Sequence, residues 1–563
     1  MADGSPTLRV GVMLDGPVVQ QWQADCLQHV LDVPGVQLVV CVRKTDTAAP
    51  RPSLPQRILR HPWRIALYLR YRRRHFRPPA MREVDIRDRI AGAPTVVCTT
   101  TRKGHGEYFS DADLDAIRGH RPDVLLRFGF GIIRGAILEV PTHGVWSFHH
   151  GDEQHYRGGP PGFWEIMHRE PVVGAILQRL TDTLDAGIIL RKGWFPVVDH
   201  SLPQTVDQVL HHSAIWPAQV MRSLLQGRAL PTAPATTSAP ILRYPRNLMF
   251  LRFLLRTLTN KWRFHRGELN AHEEWNIGVL YQPVQSLLQE VHSLNVRWLP
   301  APGKNTFRAD PFGILDEEGQ LIVLYEKYDH RTGLGEISRL RPKRDNVLKR
   351  SRSILATGTH LSYPFIVRHA GAVYVVPESA STGRVELYRS DAQLSIMDHV
   401  TTLLEVPLFD PSLVHHAGRW WLFGTRPPLS NTELYLYHSE RLEGPYVPHV
   451  MNPVKTDVRS ARPGGTFFMD GGVLYRPAQD SSRTYGGRIA LNRVTELSTT
   501  AYNEELVKYI GPVPGSAWCE GMHTLTAIGD ITLVDGKRMV HVPARQEQVR
   551  SRKVQRLKER LRS

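Results

Sequence analysis

The sequence has few cysteines, no long apolar run and no dinucleotide-binding glycine motif. Its cysteines form neither a CxxC pair nor a zinc-type spacing, which argues against a disulfide scaffold or a zinc ribbon; they are Cys26, Cys41, Cys98 and Cys519. No stretch approaches the roughly 18 uninterrupted apolar residues of a membrane span, and the N-terminus lacks the basic and apolar regions of a signal peptide. The turn at residues 14–20 is not GxGxxG, which disfavours a dinucleotide phosphate loop. These absences predict a protein of the reducing cytoplasm.

The charge of the chain is concentrated in three segments. The 563 residues carry a formal net charge of +17. Residues 51–90 contribute +9, whereas residues 241–270 and residues 544–563 contribute +6 each, so the remainder sums to −4. A nearly neutral bulk with local basic segments favours an anionic surface or a flexible tail over a uniformly basic nucleic-acid groove. We therefore expect no nucleic-acid partner.

The first part of the chain alternates between strand-like and helix-like segments. This alternation predicts an α/β domain with a largely parallel sheet over residues 1–228, interrupted by a basic insertion at 51–90. Residues 229–274 begin with a run rich in Ala, Pro and Thr and continue into an amphipathic basic helix at 247–263, so we interpret them as a linker with a helix. Residues 544–563 form a basic tail.

Residues 275–543 contain five similar units of about 50 residues. Each unit opens with a strand–turn–strand hairpin, and the hairpins begin near positions 310, 363, 410, 462 and 523. The separations are 53, 47, 52 and 61 residues. Five repeats of this length predict a five-bladed β-propeller.

The segment GVWSFHHGDEQHYRGG (144–159) resembles the core of the folate-dependent formyltransferases, which act on transfer RNA and on amino sugars. In that family an Asn-x-His pair ends a strand, a loop ends in Arg-Gly, and an aspartate lies in a Leu-Asp-x-Gly turn. His149 matches the histidine, residues 156–159 (YRGG) match the loop end, and residues 184–187 (LDAG) match the turn. The implied fold class is multidomain: an α/β, Rossmann-like formyltransferase domain joined to an all-β five-bladed propeller.

The resemblance implies formyl transfer from 10-formyltetrahydrofolate to an amine through a tetrahedral oxyanion. It assigns His149 as the oxyanion donor and Asp185 as the orienting carboxylate and proton acceptor. It implies cofactor contact by the turn Phe128, Gly129, Phe130 and Gly131, whose glycines we interpret as allowing close approach of a bound pterin. It implies substrate contact by His150, Asp152, Tyr156, Arg157 and Gly158.

The sequence departs from the family pattern at Ser147, which takes the place of the asparagine. The loop also lacks the family's Ser-Leu-Leu-Pro run. An altered acceptor site, a different acyl donor and lost activity all remain open, with Ser147 or His150 as an auxiliary donor. The alternative for His149 is a strand-end histidine bonded within a loop, and for Asp185 a turn residue. The irregular spacing of the nearby histidines and acids fits no defined metal-ligand set.

The repeat region resembles family 43-type glycoside hydrolases, the clan of arabinanases and xylosidases. Asp310 and Asp410 match that clan's base and modulator by position and by their Asp-Pro contexts. Arg462 stands where the catalytic acid is expected, and glycosidic cleavage usually needs two carboxylates with opposed roles. Glu378 and Glu520 are possible substitutes for the acid. The patterns SYPF, VYVVPES and YRPAQD resemble the propeller of plant glucosamine inositolphosphorylceramide transferases more closely. We expect a sugar-binding propeller mouth, while hydrolysis and a structural role remain open.

Three functional hypotheses follow. The first is an enzyme that formylates an amino sugar carried by a nucleotide or a lipid, with the propeller binding the glycan. The second is a carbohydrate-binding or hydrolytic propeller with a degenerate α/β partner. The third is a membrane-surface scaffold, because residues 57–77 and 247–263 mix arginine with aromatic and aliphatic residues as interfacial helices do. We expect a cytoplasmic protein that lies at an anionic membrane face.

Overall fold

A computed structural model describes residues 6–45, 63–183, 186–290, 294–342 and 351–541 of the chain. The chain divides into two compact units, Met1–Trp262 and Arg263–Ser563. None of the helices within the described ranges is both long enough and apolar enough to cross a bilayer.

The first unit contains strands from near its beginning to residue 242. Within the described ranges they are β1 (Leu8–Leu14), β2 (Val18–Gln20), β3 (Val36–Lys44), β4 (Glu83–Asp85), β5 (Thr95–Cys98), β6 (Thr101–Lys103), β7 (Gly106–Tyr108), β8 (Val124–Arg127), β9 (Ile132–Ile133), β10 (Val145–His149), β11 (Arg157–Gly158), β12 (Val172–Arg179), β13 (Ile188–Pro196) and β14 (Ile241–Leu242).

A seven-stranded sheet forms the centre of the first unit, with the order β13-β12-β10-β8-β1-β3-β5. Strands β5, β3, β1, β8 and β10 pair in parallel, whereas β12 and β13 are antiparallel. Val10, Val12 and Val124 are completely buried, as expected for parallel strands that are covered on both faces. The alternation of strands and helices in the sequence therefore corresponds to a mostly parallel α/β sheet.

The helices of the first unit flank this sheet or follow it. They are α1 (Gln21–Leu31), α2 (Ala66–Arg74), α3 (Arg87–Ile90), α4 (Asp111–Gly119), α5 (Phe163–His168), α6 (Leu202–Ser213), α7 (Trp216–Leu225) and α8 (Asn247–Asn270), with 3₁₀ turns at Trp63–Ile65, Pro79–Met81 and Gly135–Glu139. Helix α1 begins with a capping box between Gln20 and Gln23, and α6 begins where the Ser201 hydroxyl accepts a hydrogen bond from the Gln204 amide.

The segment predicted as a linker from residue 229 forms hydrogen bonds with the rest of the first unit. Strand β14 pairs in parallel with β11, which places Arg157 opposite Ile241 and Gly158 opposite Leu242. The Ala235 amide also donates to the carbonyl oxygen of Gly187, at 3.0 Å. Strands of two residues have no detectable hydrophobic period, which is why the sequence reads as a linker here.

Two further sequence predictions are revised by the structure. The helix predicted at 247–263 continues to Asn270. The helix predicted over 57–77 is, within the described residues, a 3₁₀ turn followed by α2, which ends at Arg74. The Tyr68 side chain of α2 is buried in a cluster with Phe163 and Phe250, so the basic insertion packs into the domain. Residues 51–62 and the tail 544–563 lie outside the described ranges.

The second unit begins within α8. From Ala271 onward its described residues form β-strands and loops, with 3₁₀ turns at Val284–Leu288 and Ala380–Thr382. Its described strands are β15 (Ala271–Leu280), β16 (Arg297–Trp298), β17 (Thr306–Leu315), β18 (Leu321–Asp329), β19 (Leu334–Leu340), β20 (Arg352–Leu355), β21 (Ser362–His369), β22 (Ala372–Glu378), β23 (Val385–Ser390), β24 (Asp398–Leu404), β25 (Phe409–His416), β26 (Arg419–Thr425), β27 (Glu433–Ser439), β28 (Val447–Pro448), β29 (Lys455–Thr456), β30 (Phe468–Asp470), β31 (Val473–Asp480), β32 (Arg488–Leu497), β33 (Tyr502–Ile510), β34 (Leu525–Ile528) and β35 (Ile531–His541).

These strands form consecutive antiparallel sheets. Four sheets follow the chain in order, beginning with β17, β21, β25 and β30, and β29 joins the third of them by pairing with β27. The remaining sheet has the order β16-β15-β35-β34, so that β15 from the start of the unit pairs with β35 from its end along the whole of β15. Successive small sheets that are completed by the two ends of the region are typical of a propeller-type domain.

Candidate functional site

Ser147 and His149 lie at the end of the central strand β10. They are two residues apart on a strand, so their side chains point to the same face. The register with β12 places Ser147 opposite Gln178 and His149 opposite Ile176. Ser147 is buried, and the His149 ring is partly exposed. The Nε2 atom of His149 lies 3.1 Å from the carbonyl oxygen of Tyr156. Because a carbonyl only accepts, Nε2 carries the proton, and His149 presents a hydrogen-bond donor here.

Arg127, at the end of the neighbouring strand β8, reaches into the same place. Its Nε and Nη2 atoms donate to the Ser147 hydroxyl oxygen at 3.2 and 3.0 Å. Its Nη1 atom donates to the carbonyl oxygens of Phe130 and Gly131 at 3.2 and 2.7 Å. Burial lowers the pKa of Arg127 below its ordinary value. No sequence motif marks this arginine, which brings a cationic hydrogen-bond donor to Ser147.

His150 points away from His149, as strand alternation predicts. Its ring stacks on Phe148, with centroids 5.6 Å apart, and meets the edge of Trp22 at 5.2 Å. Burial and the neighbouring His149 lower the pKa of His150 to about 3, so the ring is neutral. Its Nε2 atom is buried without a hydrogen-bond partner among the described residues. His150 lines a cavity of about 660 Å³ on this side of the sheet.

The turn from Phe128 to Gly131 is close-packed against the protein itself. A Cβ atom on Gly129 would lie 2.3 Å from the backbone nitrogen of Asp15, and one on Gly131 would lie 2.7 Å from a Glu107 carboxylate oxygen. The amides of Phe128 and Gly129 donate to the Met13 carbonyl oxygen, and the Phe130 amide donates to Asp15. These contacts within the domain are by themselves enough to require both glycines, and contact of this turn with a pterin stays a prediction.

The predicted substrate loop is held by interactions within the domain. The Asp152 carboxylate accepts from Lys192 Nζ at 2.8 Å and from Trp194 Nε1 at 3.4 Å. Burial raises the pKa of Asp152, but the hydrogen bond and charge of Lys192 outweigh it and lower the pKa below its ordinary value. The Tyr156 hydroxyl lies 3.1 Å from His168 Nδ1.

Arg157 and Gly158 also face the chain itself. Arg157 Nη1 donates to the Ala239 carbonyl oxygen at 3.1 Å. Gly158 has a positive φ of 86°, and a Cβ atom there would lie 2.2 Å from the Leu242 carbonyl oxygen. Of these loop residues, Gly158 lines the 660 Å³ cavity together with His150. Asp185 lies outside the described residues.

Glu165, a buried carboxyl group in α5, is a further residue that no sequence motif marks. It is 1 % exposed, and burial raises its pKa to about 7. Its Oε1 atom lacks a hydrogen-bond partner among the described residues. Glu165 and His150 both line a small space beside the Gly158–Pro161 loop. A buried pair of this kind is a place for an ordered water molecule or a polar ligand group.

The second unit contains a buried acidic cluster that includes all four residues predicted for its sugar site. The Asp410 carboxylate receives two hydrogen bonds from Arg462, with Nε–Oδ2 at 2.6 Å and Nη2–Oδ1 at 3.1 Å. Glu378 Oε2 lies 3.7 Å from Arg462 Nη2 and accepts a bond from the Asp410 amide at 3.2 Å. Burial and the negative charge of Asp410 raise the pKa of Glu378 well above its ordinary value.

Asp310 lies beside a buried histidine, His523, which the repeat pattern marks only as the start of a hairpin. His523 Nε2 is 3.4 Å from Asp310, and His523 Nδ1 is 2.6 Å from Asp535. Burial lowers the pKa of His523, but the carboxylates of Asp535 and Asp310 outweigh it and raise the pKa above its ordinary value. One ligand atom from each of these three residues lies within 4.8 Å of the others, which is a spacing that a metal ion also accepts.

Glu326, in the middle of β18, completes the acidic cluster. It is 6 % exposed. Burial and the charges of Asp310, Glu378, Asp410 and Asp535 raise its pKa well above its ordinary value. Several carboxyl groups are thus packed so closely that burial and mutual repulsion disfavour their ionisation. Such an arrangement is found at binding and catalytic sites.

Part of the second unit is similar to a defined protein family. Residues 299–514 match the model of the family described as "Glucosamine inositolphosphorylceramide transferase 1, N-terminal". The chain is 33% identical over 207 residues to glucosamine inositolphosphorylceramide transferase 1 of Oryza sativa subsp. japonica, covering 36% of this chain and 28% of that protein. It is 30% identical over 261 residues to the Arabidopsis thaliana protein, covering 42% of this chain and 34% of that protein. The chain therefore spans about a third or less of the length of these relatives.

A separate set of relatives consists of formyltransferases. The chain is 33% identical over 90 residues to methionyl-tRNA formyltransferase of Halalkalibacterium halodurans, covering 16% of this chain and 28% of that protein. The chain joins a formyltransferase-like domain to a propeller-type domain. Among solved structures, a family 117 glycoside hydrolase of Zobellia galactanivorans has a TM-score of 0.32 at 15% identity, covering 48% of this chain and 91% of that one. Glycinamide ribonucleotide transformylase 1 of Symbiobacterium toebii has a TM-score of 0.28 at 15% identity, covering 43% and 96%.

Proposed function

We propose that the formyltransferase-like domain transfers a formyl group from 10-formyltetrahydrofolate to the amine of an amino sugar carried by a nucleotide or a lipid. The observation that carries this proposal is that polar side chains from two adjacent strands meet at the end of β10. The guanidinium of Arg127 binds the Ser147 hydroxyl, and the Nε2–H group of His149, which here donates to the Tyr156 carbonyl oxygen, lies on the same strand as Ser147. Preorganised donors of this kind stabilise the oxyanion that forms when an amine attacks a formyl carbon.

The residues have distinct roles in this proposal. The amine nitrogen attacks the formyl carbon and loses a proton. The bond from that carbon to the folate nitrogen then breaks, and this nitrogen takes up a proton as it leaves as tetrahydrofolate. In the reaction the Nε2–H group of His149 exchanges the Tyr156 carbonyl oxygen for the oxyanion as its acceptor. Arg127 supplies positive charge through Ser147, which compensates for the missing asparagine. The resemblance gives Asp185 the role of proton acceptor. The hydrogen-bonding side chains therefore fit the oxyanion of formyl transfer. The turn at Phe128 helps only to shape the site, because its amides are already hydrogen-bonded within the domain.

The experiment is an assay of the full chain with 10-formyltetrahydrofolate and a panel of nucleotide-linked and lipid-linked amino sugars, with tetrahydrofolate formation as the readout. His149→Ala should lower turnover at least about a hundredfold, as the loss of an oxyanion donor does. The matched control is His105→Ala, because His105 is an exposed histidine in a turn of the same domain. Absence of folate binding and of turnover with every amine would overturn the proposal.

The acidic cluster supports a second candidate function, which is glycan binding or cleavage by the propeller-type domain. We propose that its consecutive sheets are the blades of a five-bladed propeller, with Asp310, Glu326, Glu378 and Asp410 at the glycan site. Carboxylates bind sugar hydroxyls, and groups with raised pKa values serve as acids in glycoside cleavage. Glycan-array binding should be lost in Asp310→Ala and retained in the exposed control Asp530→Ala. Equal binding by both variants would contradict the assignment.

A further inference from the structure

Helix α8 has a buried face and an exposed apolar face. Phe250 and Phe253 are 2 % and 1 % exposed and pack in the core of the first unit. A second set of apolar residues, which we call the leucine stripe, is 50–64 % exposed; it consists of Leu248, Leu251, Leu255 and Leu258. Spacings of three and four residues place these side chains along one line of the helix. A soluble helix needs only one apolar face, so the leucine stripe is available for another surface.

The apolar surface continues at the start of the helix. The side-chain amide of Asn247 donates to the carbonyl oxygen of Trp63 at 2.7 Å, and its oxygen accepts from the Leu67 amide at 3.1 Å. Trp63 is 65 % exposed and Leu67 is 38 % exposed. The helix and the basic insertion therefore present apolar side chains side by side.

Positive charge surrounds this surface. Residues 63–77 contain six arginines and no acidic residue, and all six arginines are exposed. On α8, the helical period places the exposed Arg252 along one flank of the leucine stripe and the exposed Lys261 along the other. A second copy of the same surface would bring like charges together, whereas anionic lipid headgroups complement them.

We propose that the leucine stripe and the arginines around it bind the surface of an anionic lipid bilayer. The leucine side chains enter the headgroup–acyl boundary, and the arginines contact phosphate groups while their stems remain in the apolar layer. This proposal is independent of formyl transfer, because it concerns where the first unit binds and not what it catalyses.

Co-sedimentation with vesicles tests the proposal. The full chain should sediment with phosphatidylglycerol–phosphatidylcholine vesicles and much less with pure phosphatidylcholine, and high salt should weaken the binding. The variant Leu251→Asn/Leu255→Asn/Leu258→Asn should bind roughly a hundredfold more weakly, because each leucine loses its apolar transfer energy. The matched control is Ile396→Asn/Leu506→Asn/Val507→Asn, which changes equally exposed apolar residues in the second unit.

Two outcomes would overturn the proposal. One is equal vesicle binding by the triple leucine variant and its control. The other is the absence of vesicle binding together with a dimer, seen by analytical ultracentrifugation, that the leucine substitutions dissociate. In that case the leucine stripe is an interface between copies of this chain. Circular dichroism of both triple variants establishes that they are folded.

An independent observation is the cavity of about 660 Å³, whose size is that of a small-molecule site. Its walls are mostly apolar and come from α1, the basic insertion and α6; they include Trp22, Phe76, Met81, Leu202, Val206 and Leu210. The exposed side chains of Arg72 and Arg243 lie at its edge, and Arg72 Nη1 is 3.3 Å from the Tyr244 hydroxyl. We propose that this cavity binds the apolar chain of an amphiphile whose anionic group contacts the two arginines.

Calorimetry with the full chain tests this second site. Dodecyl phosphate below its micelle concentration should bind, whereas inorganic phosphate should not, and dodecyl maltoside should bind at least about tenfold more weakly because it lacks the charge. Arg243→Gln should weaken dodecyl phosphate binding, and Leu210→Trp should block it by filling the cavity. Arg246→Gln, an exposed arginine outside the cavity lining, is the control. Equal affinity for the phosphate and maltoside amphiphiles, or binding unaffected by Leu210→Trp, would refute the site.

Discussion

The substitution Asp310→Asn tests whether the buried Asp310 carboxylate lowers the stability of the folded protein when it is ionised. Asp310 is 5 % exposed. Its Oδ1 atom accepts from the Thr524 hydroxyl at 2.9 Å, and Oδ2 accepts from the Tyr363 amide at 3.3 Å. Burial is the main cause that raises its pKa from 3.8 to about 6, although the charge of His523 opposes the shift. The folded protein thus binds a proton at Asp310 over a pH range in which the unfolded chain has lost it.

The size and sign of the effect follow from linkage. The rise in the pKa of Asp310 from 3.8 to about 6 corresponds to about 3 kcal/mol in the free energy of unfolding. Because the folded pKa lies above the unfolded pKa, the contribution of Asp310 to stability is greatest below pH 3.8 and is lost as the pH rises through 6. Asparagine does not titrate. The free energy of unfolding of the variant, relative to wild type, should therefore increase by about 2 kcal/mol between pH 4 and pH 7.

Urea unfolding of the full chain at several pH values measures this difference. The lost hydrogen bonds of Asp310 shift the variant's stability by an amount that is the same at every pH, so the slope with pH is diagnostic. Asp530→Asn, at an exposed aspartate of the same unit, is the control. A difference between wild type and Asp310→Asn that stays constant from pH 4 to pH 7 would refute the reasoning.

Three other substitutions have distinct expected outcomes. Glu504→Gln should lower the free energy of unfolding by about 3–5 kcal/mol at pH 7, because it leaves the buried guanidinium of Arg476 uncompensated. Burial raises the pKa of Glu504, but Arg476 outweighs it and lowers the pKa to about 2. The loss of stability in the variant should therefore shrink as the pH falls from 4.5 towards 2. Urea unfolding at acid pH measures this change. Gly129→Ala should lower the melting temperature measured by calorimetry, since its Cβ atom would meet the Asp15 backbone, and an unchanged melting temperature would contradict that contact. Arg127→Gln should reduce kcat by about 10²–10³ without weakening folate binding, and equal loss in both would mark a structural role.

Part of the formyltransferase-like site could be predicted from the sequence. The end of β10 is marked by the apolar run before Ser147 and by the spacing to His149, which are local features. The opposite orientation of His150 follows from strand alternation alone. The contribution of Arg127 could not be seen in this way, because β8 and β10 become neighbours only in the sheet.

The propeller-type domain shows the same division. Repeat spacing marks Asp310 and Asp410 because Asp-Pro pairs recur at hairpin starts. Glu326 lies inside the apolar run LIVLYEK, and nothing local indicates that it is buried beside carboxylates from other sheets. Residues 229–245 illustrate the opposite error, since their composition is that of a linker while Ile241 and Leu242 pair with β11.

The most direct test of the central claim is transfer of a labelled formyl group. The full chain would be incubated with 10-formyltetrahydrofolate labelled in the formyl carbon and with the amino-sugar panel, and the products would be analysed by mass spectrometry. We expect label in an amide on the amino sugar with wild type and with His105→Ala, and at least about a hundredfold less of it with His149→Ala. Label that never leaves the folate, or equal transfer by His149→Ala, would contradict it.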